Sequence, residues 1–533
     1  MATIPHTQAD IEKGTAPHDP IDVGDGPSIS KDVKNDVTAT GSSEEPASSP
    51  RFAERFHWYT QQFEKQLVLY NLEARGIQRV EDHERHGTSS LGYMQIILFW
   101  ISINLAANNI TLGMLASQTF TLSFLDSAMC AVFGAIVGSL PVAYIATFGP
   151  ISGNRTMIFA RYAMGWWPSK LIVILNLIVS LGYSLIDCVV AGQILSAVSP
   201  NGSLPVLSGI IIVAVITWVI TTFGYEVFHY YERYAWFPQV MVYCILAGVA
   251  GPKFDTSLPS QGDSLTIIGN RISWFSLALS AAITYGGGAA DYFVYYPETT
   301  PRWKVFFMSM IGLTFSFSFA LLLGIGLGSG ASTDQSWQSA YNTSQGALIV
   351  SGFGPLGDFG KFCGVIVALG LIGNLVAPTY SSGVDFQILG RYAEKIPRVI
   401  WNTIGVIIYT VCALAGRNSL SDIFTNFLAL MGYWVAIWVA IMFEEHFIFR
   451  RKRGYSWESW NDSSKLPIGI AALIAFLIGW AGAIICMAQV WYIGPIAARI
   501  GDYGGDIGNY VGFSWAALVY PPMRWYELKK TGR

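Results

Sequence analysis

Charge is the scarcest thing in this chain. Of its 533 residues, 13% are charged, where a soluble protein carries roughly 25%. The 32 Lys and Arg nearly cancel the 35 Asp and Glu, leaving a net charge of −3. No basic field exists, which excludes nucleic acid as a partner. Cysteine is scarce as well. Cys130, Cys188, Cys244, Cys363, Cys412 and Cys486 fall in or at the edges of apolar runs, and act as small hydrophobes rather than a disulfide framework. No lysine-bearing phosphate loop is present, so ATP is not the energy source. The seven histidines are scattered, no His/Cys/Asp spacing suits a metal, and no nucleophile elbow appears. An enzyme is not expected, nor is a cofactor. Residues 1–86 contain no apolar leader core.

What the chain has in quantity is apolar surface. It is 52% hydrophobic and 14% aromatic, with a mean hydropathy of +0.42. Such a composition implies an all-α polytopic membrane protein, with the lipid bilayer as its first partner. A bilayer core about 30 Å thick needs about 20 apolar residues per helix. Twelve runs qualify: 92–115, 125–148, 168–198, 205–223, 235–251, 272–293, 305–328, 361–388, 399–416, 420–445, 466–487 and 506–523. With both termini in the cytosol, the outer loops hold only Lys253, Arg271, Lys361, Arg417 and Arg499. The inner ones hold the rest, including Arg450–Arg453, as the positive-inside rule asks. The glycosylation sequons at Asn201 and Asn342 then fall outside. Localisation in the cell membrane is expected. Six segments follow: a disordered tail over 1–51, a juxtamembrane segment over 52–91, a first half over 92–251 (spans 1–5), a second half over 272–445 (spans 6–10), the last two spans over 466–523, and a short tail over 524–533.

Two spans look broken. Span 6 contains "ITYGGGAADYF", where Gly286, Gly287 and Gly288 each cost about 1 kcal/mol against alanine in a helix. Span 1 contains "SINLAANNITLGML", with Asn108 and Asn109 adjacent. Broken spans at corresponding places in two halves point to an inverted-repeat transporter with its site at mid-membrane. The glycines let backbone leave the helix, and irregular backbone is tolerated there only beside a cavity. A second correspondence agrees. Asn176, Ser180, Tyr183, Ser184 and Asp187 in span 3 share their spacing with Asn374, Pro378, Ser381, Ser382 and Asp385 in span 8. Each set forms one helical stripe. These stripes either line a pathway or serve as interhelical hydrogen-bonding glue.

At these residues the chain resembles the fungal purine–cytosine permeases of nucleobase–cation symporter family one. The resemblance rests on "FWISINLAANNITLGML", "GPISGNRTMIFARYAMG", "GYSLIDCVVAGQIL", "FGYEVFHYYERYAWFPQ", "AADYFVYYPETTPRWKVF" and "CALAGRNSLSDIFTNFLALMGYW". It implies twelve helices in a LeuT-like five-plus-five inverted repeat plus two, and import of nucleobases by proton symport. It further implies that Ser102 contacts substrate, that Asn176 hydrogen-bonds the base, that Asn402 supports selectivity, and that Glu226 is functionally important. Two departures stand out. An asparagine-rich stretch of span 8 reads "LVAPT" here, keeping Pro378 but placing Leu375, Val376 and Thr379 where amides are usual, with Asn374 one step upstream. The usual tryptophan of span 6 is Tyr285, which still stacks on a flat ring. Cytosine, adenine, guanine and hypoxanthine are therefore the first substrates to consider, and pyridoxine the alternative. Asp187 and Glu226 are the proton-coupling candidates, with Asp291 and Asp385 behind them. A sodium site built from Ser381, Ser382 and carbonyls at the span 1 break is the rival.

Overall fold

A computed structural model describes residues 76–85 and 93–533, except Gly224 and the side chains of residues 201, 223, 225–233 and 235. The expected tail over 1–51 lies outside the described residues, as does most of the 52–91 segment.

Helices lie along all twelve expected segments. Span 1 is split into α1 (Met94–Asn104) and α2 (Ala107–Gln118). Then come α3 (Phe124–Ala146), α4 (Pro168–Val198), α5 (Val206–Phe223) and α6 (Tyr225–Ala250). The second half holds α7 (Ser264–Ile283), α8 (Arg302–Ala331), α9 (Asp358–Ile388), α10 (Arg398–Gly416) and α11 (Leu420–Glu444). α12 (Ile470–Cys486) and α13 (Gly508–Thr531) complete the chain. Among the described residues, six helices are long and apolar enough to cross a membrane by themselves, and the α1–α2 pair, bent by 60°, makes a seventh if its two parts count as one span.

Local chemistry sets the ends of these helices. Ser123 Oγ accepts from Asp126 N at 3.2 Å to start α3, and Pro168 opens α4, where its missing N–H costs nothing. Asp263 accepts from Thr266 N at 2.9 Å. This N-cap starts α7 at Ser264, eight residues ahead of the expected span, before the apolar run begins. α6 likewise starts at Tyr225 rather than 235. At its far end α7 stops at Ile283, and two 3-10 turns follow, Thr284–Gly287 and Asp291–Phe293. Span 6 is therefore a helix ending in irregular backbone at the glycines.

The halves interlock. α4 packs along α9, α3 along α7, and α2 along α8. Small residues allow the close crossings, as is common between membrane helices. A Cβ at Gly138 would lie 2.5 Å from Leu279 O, and one at Gly324 would lie 2.0 Å from Ile110 O. At one end of the bundle, Val80 N donates to Gly153 O at 2.9 Å. There Arg79 and Arg85 donate to the carbonyls of Ser152 and Pro150.

Candidate functional site

A small cavity opens where the broken segments meet the two polar stripes. Its wall takes Ile103 from α1, Asn176, Ser180 and Tyr183 from α4, and Asn374, Pro378 and Ser381 from α9. Thr284, Tyr285, Gly288 and Tyr292 come from the interrupted end of span 6. The α4 and α9 stripes thus face one another across the cavity.

Asn176 is held on two sides. Its Nδ2 donates to Asp385 Oδ2 at 2.8 Å, in the interior between α4 and α9. Its Oδ1 lies so near Gly287 that a Cβ there would be 1.8 Å away. The glycine is needed for that approach, whatever the local dihedral angles. Across the cavity, Asn374 Nδ2 is buried with no hydrogen-bond partner among the described residues. The bond related to Asn176–Asp385 by exchange of the halves, Asn374 to Asp187, is not made. Both Asp187 oxygens lack a hydrogen bond of ordinary geometry, although Asn108 of α2 lies alongside. Asp187 is wholly buried.

The aromatic wall is well braced. The Tyr285 ring meets Trp100 edge-on at 6.1 Å, Phe317 edge-on at 5.9 Å and Tyr183 at 6.0 Å. Tyr183 OH pairs with Thr284 Oγ1 at 2.7 Å, which fixes one tyrosine to the break itself. Such aromatic sets favour edge-to-face geometry, and a flat guest can lie against the remaining face.

Other expected residues fall elsewhere. The span 1 break is at Leu105 and Ala106, ahead of Asn108 and Asn109, which sit in the first turn of α2. They act on the break rather than forming it: Asn109 Nδ2 donates to Asn104 O at 2.7 Å, and Asn108 Oδ1 accepts from Asn109 N at 2.7 Å. Gly286 packs toward Ile145 and Val435, outside the cavity. Ser102 is half-buried, and its neighbour Ile103 lines the wall instead. Thr379 turns its hydroxyl back to Leu375 O at 2.7 Å, away from the cavity. Asn402 does not reach it either, since its Nδ2 donates to Thr221 Oγ1 of α5 at 2.7 Å. Ser382 Oγ donates to Thr379 O at 2.8 Å, while Ser381 stands in the wall. Asp291 is occupied structurally. It accepts from Thr156 N and Oγ1 at 2.6 and 2.7 Å and pairs with Arg155 at 3.8 Å. Asn342 is exposed, and the side chains of Glu226 and Asn201 lie outside the described residues. No group of metal-ligating side chains occurs among the described residues.

Sequence reasoning passed over Trp100, Thr284 and Tyr292. Thr284 directly precedes Tyr285, two residues ahead of the glycines, and Tyr292 directly follows Asp291, so nearness to the break was the available signal.

A bundle of apolar helices interrupted around a polar, aromatic-walled cavity is the architecture of a membrane carrier, not of an enzyme. Residues 79–508 match the family described as permease for cytosine/purines, uracil, thiamine and allantoin. The chain belongs to that family. It is 33% identical over 543 residues to the vitamin B6 transporter TPN1 of Saccharomyces cerevisiae, covering 92% of this chain and 93% of that one. It is 34% identical over 468 residues to the purine-cytosine permease fcyB of Emericella nidulans, covering 87% and 90%. Its fold is similar to that of Mhp1, a nucleobase-cation-symport-1 family transporter solved in a closed conformation with bromovinylhydantoin bound. There the TM-score is 0.60 at 13% identity, covering 86% of this chain and 96% of that one.

Proposed function

We propose that this permease imports a small, flat, uncharged heterocycle by proton symport and alternating access, with nucleobases as its first substrates. The observation that carries the reading is the cavity wall. It offers one aromatic face at Tyr285 and two amides, Asn176 and Asn374, whose remaining polar atoms have no hydrogen-bond partner among the described residues. Unpaired polar groups of this kind are costly until a guest satisfies them, and they reject guests that cannot. The relationship to fcyB supports a nucleobase. Pyridoxine is the second reading, supported by the vitamin B6 transporter relative and by the apolar Leu375 and Val376, both buried, where the resemblance implies amides.

Twelve membrane spans in a five-plus-five inverted repeat underlie this reading, with both termini cytosolic in the cell membrane. Exchanging the halves turns the α3–α7 packing into α8–α1, which is also made, and leaves α4–α9 as itself, which supports the repeat. Asp187 supports proton coupling, being a buried carboxyl with no cation beside it among the described residues. Sodium held by Ser381, Ser382 and the carbonyls at Leu105 is the rival.

The test is radiolabelled uptake in cells lacking their own nucleobase and pyridoxine permeases, competed with cytosine, adenine, guanine, hypoxanthine and pyridoxine. Uptake at fixed pH is then measured with and without sodium and with a protonophore. Absence of uptake of every compound overturns the transport reading. Sodium dependence that survives the protonophore overturns proton coupling.

A further inference from the structure

We infer that Asp385 is a positioning residue that fixes which end of the Asn176 amide faces the cavity, and so sets the hydrogen-bonding edge of the heterocycle that is accepted. This rests on the transport reading above and deepens it.

An asparagine amide has a donor end and an acceptor end of nearly equal size, and only its partners decide which way it points. Asp385 is 3% exposed and Asn176 is 5% exposed, so neither can substitute water for a lost partner. Asp385 Oδ2 is the acceptor toward Asn176. Its bond from Asn176 Nδ2 at 2.8 Å therefore commits the donor end to the helix interface. A flipped amide would set its oxygen against Asp385 Oδ2 and give up this bond. The acceptor, Oδ1, has no hydrogen bond within the described residues and stands at the cavity wall against Gly287. Opposite, Asn374 Nδ2 is an unpaired donor. The wall thus presents an acceptor at a fixed place, which reads a donor on the guest.

Asp385 is itself set by its neighbours. Arg155 of the segment between α3 and α4 faces it, as does Asp291 from the end of span 6. Arg155 also donates to Tyr380 OH at 3.0 Å on α9, one turn and a half before Asp385. None of these groups lines the cavity, so Asp385 acts through Asn176.

Amino/oxo pairs test this directly. Adenine and hypoxanthine, cytosine and uracil, and 2-aminopyridine and 2-pyridone each exchange donor for acceptor at the same ring positions while keeping the ring shape. The measurement is inhibition of radiolabelled uptake by both members of whichever pair competes best, at equal surface expression. The wild-type carrier should separate the members by about tenfold or more, the factor expected for one buried polar group left unpaired. In Asp385→Asn the new amide can either donate or accept, so Asn176 is free to turn and the ratio should fall to about threefold or less. Asp385→Glu keeps an acceptor and should keep the ratio. The exchanged double variant, Asn176→Asp with Asp385→Asn, again leaves an acceptor at the wall held by a donor behind it, and should restore the ratio. This double variant also serves if the single one does not reach the surface. A ratio unchanged in Asp385→Asn, or not restored by the exchange, overturns the inference while leaving transport intact. If no pair competes and no compound is carried, the transport reading falls and takes this inference with it.

Discussion

Gly287 stands against the amide oxygen of Asn176 with no space for even one more carbon, since a methyl group at 287 would sit 1.8 Å from it. The substitution Gly287→Ala must therefore move Asn176 or the turn. Overpacking of this sort costs about 1–3 kcal/mol, or about five- to 150-fold in affinity where the binding site absorbs it. The expected result is a raised KM for uptake with normal surface expression, read by fluorescence of a tagged carrier beside the uptake curve.

Asn176→Ala removes both the acceptor at the wall and the partner of Asp385. Leaving a buried carboxyl alone is expensive, so this variant should abolish uptake while still reaching the membrane. Normal uptake by it would remove the site assignment altogether.

Tyr285 separates stacking from hydrogen bonding. Its hydroxyl makes no hydrogen bond with the described residues, whereas its ring contacts Trp100, Tyr183 and Phe317. Tyr285→Phe should keep transport within about threefold. Tyr285→Ala should lose roughly tenfold or more, because stacking a base on an aromatic ring is worth about 1–3 kcal/mol. Concentration dependence of uptake for the two variants checks both figures.

Asp187→Asn bears on coupling. With the carboxyl neutral at all pH values, substrate should still exchange across the membrane but no longer accumulate against its gradient. Steady-state accumulation measured beside counterflow tells the two apart: retained accumulation in this variant moves the coupling group elsewhere.

Gly324 concerns stability alone. A Cβ there would lie 2.0 Å from Ile110 O and would part α2 from α8. Gly324→Val should lower the melting temperature of the detergent-solubilised carrier and its surface level, by the roughly 1–3 kcal/mol usual for overpacking, without changing which compounds compete.

The helices were legible because apolar run length is a direct consequence of bilayer thickness. The ends were less so: α7 starts at Ser264 because Asp263 caps it, a polar signal that a search for apolar runs ignores. The break in span 6 was written in its glycines. The break in span 1 was not, because Leu105 and Ala106 are good helix formers, and the only trace was the pair of asparagines just after it. Within the site, the stripe residues Asn176, Pro378 and Ser381 line the cavity from α4 and α9. Thr379 and Asn402 fall on other faces, since which way a side chain points depends on helix packing rather than on residue type.

The asparagines beside Leu105 leave little freedom of choice at their positions. Hydrocarbon offers no water to an orphaned carbonyl, so the gap between α1 and α2 is mended from the side: Asn109 supplies a donor to Asn104 O, and Asn108 an acceptor to Asn109 N. Leucine would bring no polar atom, serine would fall short, and a charged side chain would demand a counterion. The kink is thus splinted by two short amides.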